Sequence, residues 1–389
     1  MAESAAPNVY SIAAHRGFAD ALVAGLVPRY SDGALGLARL TLMVPSSRAA
    51  RTISEAFIRH SGDDGLLMPR MVTVGDLDLN EALGALLDPL GASDIPPAVE
   101  PIRRWLELAN ILQVELTGEE KPPLPGAARL RMARDLARTM DRLLVEEKSP
   151  ADLLDETILD LEPSLAGHWQ DSIRLFSRVL VRWNFWLEER GEVDAATRRN
   201  MLFDRAARKW RSEPPSSPIV AAGVTSAAPA LARMLRAIAN LPNGAVILPD
   251  LDLAMDDSAW DELGRAGVAP EPGETGFAAH DAQTHPQYHL KLLLNRMGVA
   301  RQEVRAWHRK GMTAAEPVRS YAISSLFLPP EASKNWIGLE PEKRRLSGVR
   351  LLSSATSEEE AQAIALLVRE ALEVREKRVA VVTADRSLA

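Results

Sequence analysis

The chain has 389 residues, 46% of them hydrophobic and 25% charged, enough material for two or three globular domains with substantial cores. Its formal net charge of -7 argues against a globally basic nucleic-acid binder, so any contact with nucleic acid must be local. Cysteine is absent, which excludes disulfides, thiol catalysis and cysteine-ligated zinc or iron–sulfur centres in this chain. No apolar run approaches the roughly 18–20 residues that span a bilayer. The N-terminus, MAESAAPNVYSIAAHRGF, lacks the charged-then-apolar pattern of a signal peptide. A cytoplasmic location without a membrane partner is the expectation.

At the start, short apolar runs alternate with helical segments. Val9–Ile12, Leu40–Val44 and Met71–Val74 read as strands, and Leu40–Val44, apolar but for Thr41, reads as a strand covered on both faces. From about Pro97 to Arg211 the periodicity is helical. Leu130, Ala133, Ala137, Met140 and Leu144 share one helix face, and Trp169, Ile173, Phe176, Leu180, Trp183 and Leu187 share another. The segment Ser212–Pro218, SEPPSSP, is a breaker-rich linker. Strand–helix–strand then resumes with Ile219–Val224, a helix opening at Pro229 and carrying Leu231, Leu235 and Ile238, a close at Asn243-Gly244, and Ala245–Leu248. Near the C-terminus a strand Val349–Leu352, a helix Glu358–Glu376 and a strand Val379–Thr383 begin another α/β unit. A lone strand–helix–strand is marginal without strands to complete its sheet, so the chain reads as the N-terminal portion of something longer.

Nucleotide chemistry would place a glycine-rich phosphate loop after the first strand. What stands there is Ala13-Ala14-His15-Arg16-Gly17-Phe18, with one glycine and no Gly-Lys-Ser/Thr. Arg16 would meet a phosphate only as a charge, and an ordinary strand-to-helix loop reads better, so ATP hydrolysis is not expected. Asp250, Asp252, Asp256 and Asp257 follow a strand, where a metal site would lie. They lack the Asp-Glu pair of an NTPase and the Gly and Glu of a calcium loop. Asp256 and Asp257 read instead as the N-cap region of a short helix through Trp260 and Leu263. His285 and His289 lie four apart with His280 nearby, but His285-Pro286 reads as a helix entrance with Pro286 in the first turn. No catalytic residue, metal ligand or cofactor is assigned.

Nucleic-acid contact has firmer support. After Leu40–Val44 the chain turns through Pro45-Ser46-Ser47 into a helix with Ile53, Ala56, Phe57 and His60 on one face and Arg48, Arg51 and Arg59 mostly on another. Hydroxyls and free N–H groups at a helix start, backed by Arg, suit a phosphodiester backbone; they equally suit a capped helix with a solvated basic face. Thr73, before Gly75-Asp76, and Thr225-Ser226 occupy comparable strand-end positions. Two Arg-rich stretches lie in the helical region: Arg129, Arg131, Arg134, Arg138 and Arg142, and Arg198, Arg199, Arg205, Arg208, Lys209 and Arg211 beside Trp210. Such runs track phosphates when a base stacks on the aromatic, but solvated helix faces with Trp210 buried are the favoured reading.

At the level of words, LPDLDLAMDDSAW followed by THPQYHLKLLLNRMGV resembles the alphaproteobacterial form of the AddB subunit of AddAB-type double-strand-break repair helicase–nucleases. LTLMVPSSRAARTISEAF, MVTVGDLD, GVRLLSSATSEEEAQAIALLVREAL and RVAVVTADRSLA resemble further pieces of that family in matching order. The resemblance implies a superfamily 1 helicase-like (RecA-like) parallel-sheet α/β domain in two parts, 1–96 and 219–345. An all-helical insertion, 97–218, would separate them, and 346–389 would begin a second such domain. It implies single-strand contact by Ser46, Ser47, Arg48 and Arg51, a role in processing duplex ends for homologous recombination, and an AddA-type helicase–nuclease subunit as partner. The family's nuclease domain lies C-terminal to this region, and its iron–sulfur cysteines cannot lie in this chain. Some relatives keep a P-loop after the first strand. Its loss here removes any nucleotide expectation. The rival readings are a scaffold whose helical block docks a partner without touching DNA, and a cryptic nucleotide-dependent enzyme at His15-Arg16-Gly17.

Overall fold

The structure, a computed structural model, describes residues 6–14, 16–32, 35–62, 65–74, 94–117, 125–149, 163–272, 274–307, 317–346, 348–375 and 377–384; among these, the side chains of 117, 163–170 and 317–320 are not described. Its centre is a six-stranded, all-parallel sheet. In chain order the strands are β1 Val9–Ile12, β2 Thr41–Val44, β3 Arg70–Thr73, β4 Ile219–Ala222, β5 Gly244–Pro249 and β6 Arg305–Ala306. In space they run β3-β2-β4-β5-β1-β6.

A parallel sheet needs cover on both faces, and the side-chain alternation divides the cover cleanly. Met43, Ala221, Val246 and Leu248 point into one core, and Leu42, Val44, Val220, Ala222 and Ile247 into the other. The second core is closed by helices α1 (Phe18–Tyr30) and α2 (Ser47–Ser61), which contribute Ala21, Leu22, Leu26, Ile53, Ala56 and Phe57. His60, expected on that buried face, is exposed.

Between β3 and β4 the described chain is helical apart from a single bridge, Ala98 to Val193. Helices α3 (Pro101–Thr117), α4 (Gly126–Val145) and α5 (Pro163–Glu188) build a core of their own around Leu108, Leu112, Ala137, Met140, Phe176 and Trp183. Ile173, Phe176, Trp183 and Leu187 are buried as their spacing requires, while Trp169 falls among the side chains not described. Leu130 departs from its expected stripe and is 36% exposed.

Helix α6 (Ala195–Ser212) behaves differently. Its Phe203, Ala206, Ala207 and Trp210 join the first core, against α7 (Pro229–Ala239) and the sheet. The described helices between β3 and β4 therefore divide by packing: three hold one another, and the fourth covers the sheet.

Buried charge ties the helical core together. Arg104, 6% exposed, sits 2.7 Å from Asp141 Oδ1 and 2.8 Å from Asp194 Oδ1, and the Trp183 indole N–H donates to Asp194 Oδ2 at 3.0 Å. Trp186 stacks on Trp183 at 5.0 Å between ring centroids. Burial pushes the Asp194 carboxyl up from its ordinary value, against the pull of Arg104.

Past β5 come α8 (Asp257–Asp261), α9 (Tyr288–Met297), α10 (Pro317–Leu326) and α11 (Ser357–Leu372). The C-terminal expectation is corrected in part. The helix forms, shorter than Glu358–Glu376, but Val349–Leu352 and Val379–Thr383 are not strands. Leu351 is 98% and Val382 95% exposed, and apolar residues with no neighbouring strand to pair with have no ladder to join. No helix among the described residues is long and apolar enough to cross a membrane.

Candidate nucleic-acid interface

Neighbouring strands of this sheet send the chain to opposite faces at two places. The helices after β1 and β2 lie on one face, and those after β4 and β5 on the other. β2 neighbours β4, and β5 neighbours β1. Such switch points open crevices at the carboxyl ends of the strands, where α/β sheets hold ligands. Each carries a cavity here, of about 530 Å³ at β2/β4 and about 420 Å³ at β5/β1.

The β2/β4 cavity is built by a helix start. Pro45 turns the chain, and Ser46 in extended backbone caps α2, its Oγ accepting from the Ala49 N–H at 3.2 Å. Replacing Ser46 by Ala should cost about 1 kcal/mol, read as a lower denaturation midpoint at unchanged m-value.

Arg48, exposed at the cavity rim, makes no ion pair among the described residues. Arg51 is 82% exposed and 3.6 Å from Glu55, an i,i+4 surface pair worth only a few tenths of a kcal/mol, so its guanidinium remains available. Arg59 is committed elsewhere: it pairs with Asp20 at 2.7 Å and ties α2 to α1.

Two lining residues escaped the sequence reading. Phe18 lies against Gly223, whose positive φ of 74° and missing Cβ allow the ring to approach. A Cβ at Gly223 would stand 3.3 Å from the ring edge. Arg378 reaches the same cavity from far along the chain, with its guanidinium 3.9 Å from Glu55. No local signal marks either one, because the sheet order brings α1 and β4 together and the C-terminal segment reaches the cavity by packing beside α2.

Thr73 ends β3 directly opposite Val44, so it stands on the same edge one strand over from Ser46. Gly75-Asp76 lie outside the described residues. Thr225 is exposed beyond the end of β4, but it lines a different cavity, of about 630 Å³, with Ser226, His289 and Arg296. The candidates thus occupy three adjacent strand ends, β3, β2 and β4, while Thr225 and Arg48 open into separate hollows.

The other constellations resolve into local structure. Of the loop after β1, His15 lies outside the described residues and Arg16 lines the β5/β1 cavity. α1 begins without a side-chain cap and carries Asp20 in its first turn, a charge that opposes a bound phosphate. Asp252 accepts from the Ala254 and Met255 N–H groups, and Asp257 pairs with Arg301. The short helix spans Asp257–Asp261, and Asp256 precedes it without a side-chain cap bond. His285 accepts from the Gln287 N–H at Nδ1 and meets the Phe327 carbonyl at Nε2, so both ring nitrogens are engaged. Helix α9 starts only at Tyr288, which leaves Pro286 before the helix and corrects its expected place in the first turn.

In the Arg-rich stretches, Arg134 lies over the Trp105 ring, Arg138 pairs with Asp135, and Arg205 pairs with Asp94. Arg199 is buried near Phe203, and Trp210, 5% exposed, is a core residue with no face to offer a base.

No protein-family model matches the chain, and a search of curated proteins finds no match. The functional reading therefore rests on sequence words and on this geometry.

Proposed function

We propose that this chain is the non-motor, helicase-like DNA-binding portion of an AddB-type subunit of a double-strand-break repair helicase–nuclease, with a superfamily 1-like sheet and a helical insertion. The observation that carries the DNA-binding part is the alignment of Thr73, Ser46–Arg51 and Thr225 at three adjacent strand ends, with Arg48 free of an ion pair among the described residues. Single-stranded DNA lies along this edge. Arg48, Arg51 and Arg378 meet its phosphates, the hydroxyls of Ser47, Thr73 and Thr225 hydrogen-bond phosphate oxygens, and Phe18 offers a ring to a base. An AddA-type partner supplies ATP-driven translocation and the complex processes duplex ends. This segment supplies grip and direction, without a cofactor.

The test is fluorescence anisotropy with single- and double-stranded oligonucleotides across a salt series. Single-strand affinity should fall with salt, and Arg48→Ala/Arg51→Ala should reduce the log–log salt slope by about 1.4, at roughly 0.7 per single-strand phosphate contact. An unchanged slope removes these residues from the interface.

A second reading has one specific support. Val181 and Phe185, four apart on α5, are 69% and 61% exposed, an apolar outer face suited to a protein partner. On that reading the helical block docks the partner subunit and the sheet edge never touches DNA. Partner binding that is insensitive to salt, with no DNA affinity, would favour it.

A further inference from the structure

The β5/β1 cavity plays no part in the proposed DNA path. It is walled largely by apolar groups, among them Ala13, Met255, Pro286, Trp307, Ile323 and Phe327, the last two from α10 and the turn that ends it. At about 420 Å³ it has the size and lining of a small-molecule site.

Several of its polar side chains are committed, while Arg16 and Ser324 have no side-chain partner among the described residues. Ser11 Oγ donates to the Leu251 carbonyl at 3.0 Å, Asp252 caps the turn after it, and both His285 nitrogens are engaged. Asp250 is not. Its carboxylate has no hydrogen-bond or ion-pair partner among the described residues, and the residue lines the cavity while remaining exposed to solvent.

The backbone that presents Asp250 is held against its preference. Asp250 has φ of 58°, a left-handed conformation uncommon outside glycine and found at ligand sites when the surroundings enforce it. Its N–H donates to the Ile12 carbonyl at 2.8 Å. The Gln287 side chain donates to its carbonyl at 2.8 Å and accepts from the Asp252 N–H at 2.9 Å. Three hydrogen bonds therefore fix a turn whose uncommitted polar side chain is an exposed anion beside an apolar-lined cavity. Partial burial also pushes the Asp250 carboxyl up from its ordinary value.

We infer that this cavity is a binding site for a small ring-bearing molecule with a cationic or multiply N–H-donating head, the head pairing with Asp250 and the ring lying against Trp307 and Phe327. A polyphosphate is the wrong chemistry, since Asp250 and Asp252 confront it with Arg16 as the one cationic side chain on the described wall. A planar amidinium or guanidinium-like head fits, because it meets a carboxylate with two parallel N–H donors.

The probe is benzamidine, titrated by calorimetry and by ligand-observed NMR into the full chain, with benzoate and benzyl alcohol as ring-matched controls. Benzamidine should bind saturably and more tightly than either control. Asp250→Asn should weaken it about ten- to hundredfold, as expected for loss of a charge-assisted pair, and leave benzyl alcohol unchanged. Asn tolerates the left-handed backbone, so this variant should fold, which circular dichroism checks. Ser324→Trp, which fills the cavity from α10, should abolish binding of both. Benzoate binding as well as benzamidine, benzamidine binding that survives Asp250→Asn, or no saturable binding in the millimolar range would each overturn the inference.

Discussion

Replacing Arg104 by Ala is expected to cost about 3–5 kcal/mol, the range found when one partner of a buried ion pair is removed. Asp194, 3% exposed, would be left with the Trp183 indole and without the cation 2.8 Å away. Its carboxyl is already pushed up by burial, so the variant should take up a proton there well above the ordinary carboxylate range. The sign of the pH effect follows. A carboxyl whose folded pKa is raised binds more protons folded than unfolded, so stability falls as pH rises from the unfolded value through the folded one, and is level above it. That window should widen upward in Arg104→Ala, and denaturant midpoints at a series of pH values would show it. Because α3, α4 and α5 hold a core separate from the sheet, hydrogen exchange should accelerate there first. Arg104→Met/Asp194→Leu should recover part of the loss, since an apolar pair replaces the two ions but leaves the buried Trp183 N–H and Asp141 without their partners. A double variant as unstable as the single one would mean that packing around Trp183, not charge, carries the effect.

Trp307→Ala is the second large effect, about 3–5 kcal/mol for truncating a buried indole. Trp307 is 3% exposed, follows the two-residue strand β6, and inserts beneath α1. Its Nε1 donates to the Ala21 carbonyl at 3.1 Å, Tyr10 meets it edge-on at 5.1 Å between centroids, and Arg29 lies 4.0 Å over its face. Gly25 makes room for it: a Cβ there would stand 2.2 Å from Nε1. Gly25→Ala should therefore destabilise by about 1–3 kcal/mol as an overpacked contact, although Ala is the better helix former. Trp307→Phe should cost less than the Ala variant, keeping most of the ring packing while losing the pyrrole ring's volume and the indole hydrogen bond. Equilibrium unfolding in urea orders the three. If Gly25→Ala were stabilising, helix propensity would outweigh the close approach and the insertion would be looser than its geometry implies.

Five of the six strands were legible because each is a short apolar run bounded by turn residues. β6 was not, since two residues, Arg305 and Ala306, carry no periodicity at all. The C-terminal strands failed for the opposite reason. Val349–Leu352 and Val379–Thr383 have the apolar composition of strands, but a strand exists only when another strand completes its ladder, and no strand among the described residues pairs with them. Of the candidate interface, Ser46 was readable as a cap and Arg48 as an exposed cation because both signals are local to one helix start. Phe18, Gly223 and Arg378 were not, as the first two meet through the order of the sheet and Arg378 arrives by non-local packing against α2.

The sequence by itself determined the class of the fold, the position of the helical region between β3 and β4, most of the faces that α2 and α5 bury (His60 is exposed and Trp169 lies among the side chains not described), and the lack of a glycine-rich phosphate loop. All of these follow from residue type and spacing over one or two turns of chain. The tertiary structure alone decided the strand order β3-β2-β4-β5-β1-β6, and with it the two crevices, the joining of α6 to the sheet's core and the commitment of Arg59, His285 and Trp210 to structural contacts. It also left Asp250 unpaired among the described residues, exposed beside an apolar-lined cavity. Periodicity specifies which face of an element is apolar. Which other element covers that face is set by non-local packing, where each contact is worth little until many form together.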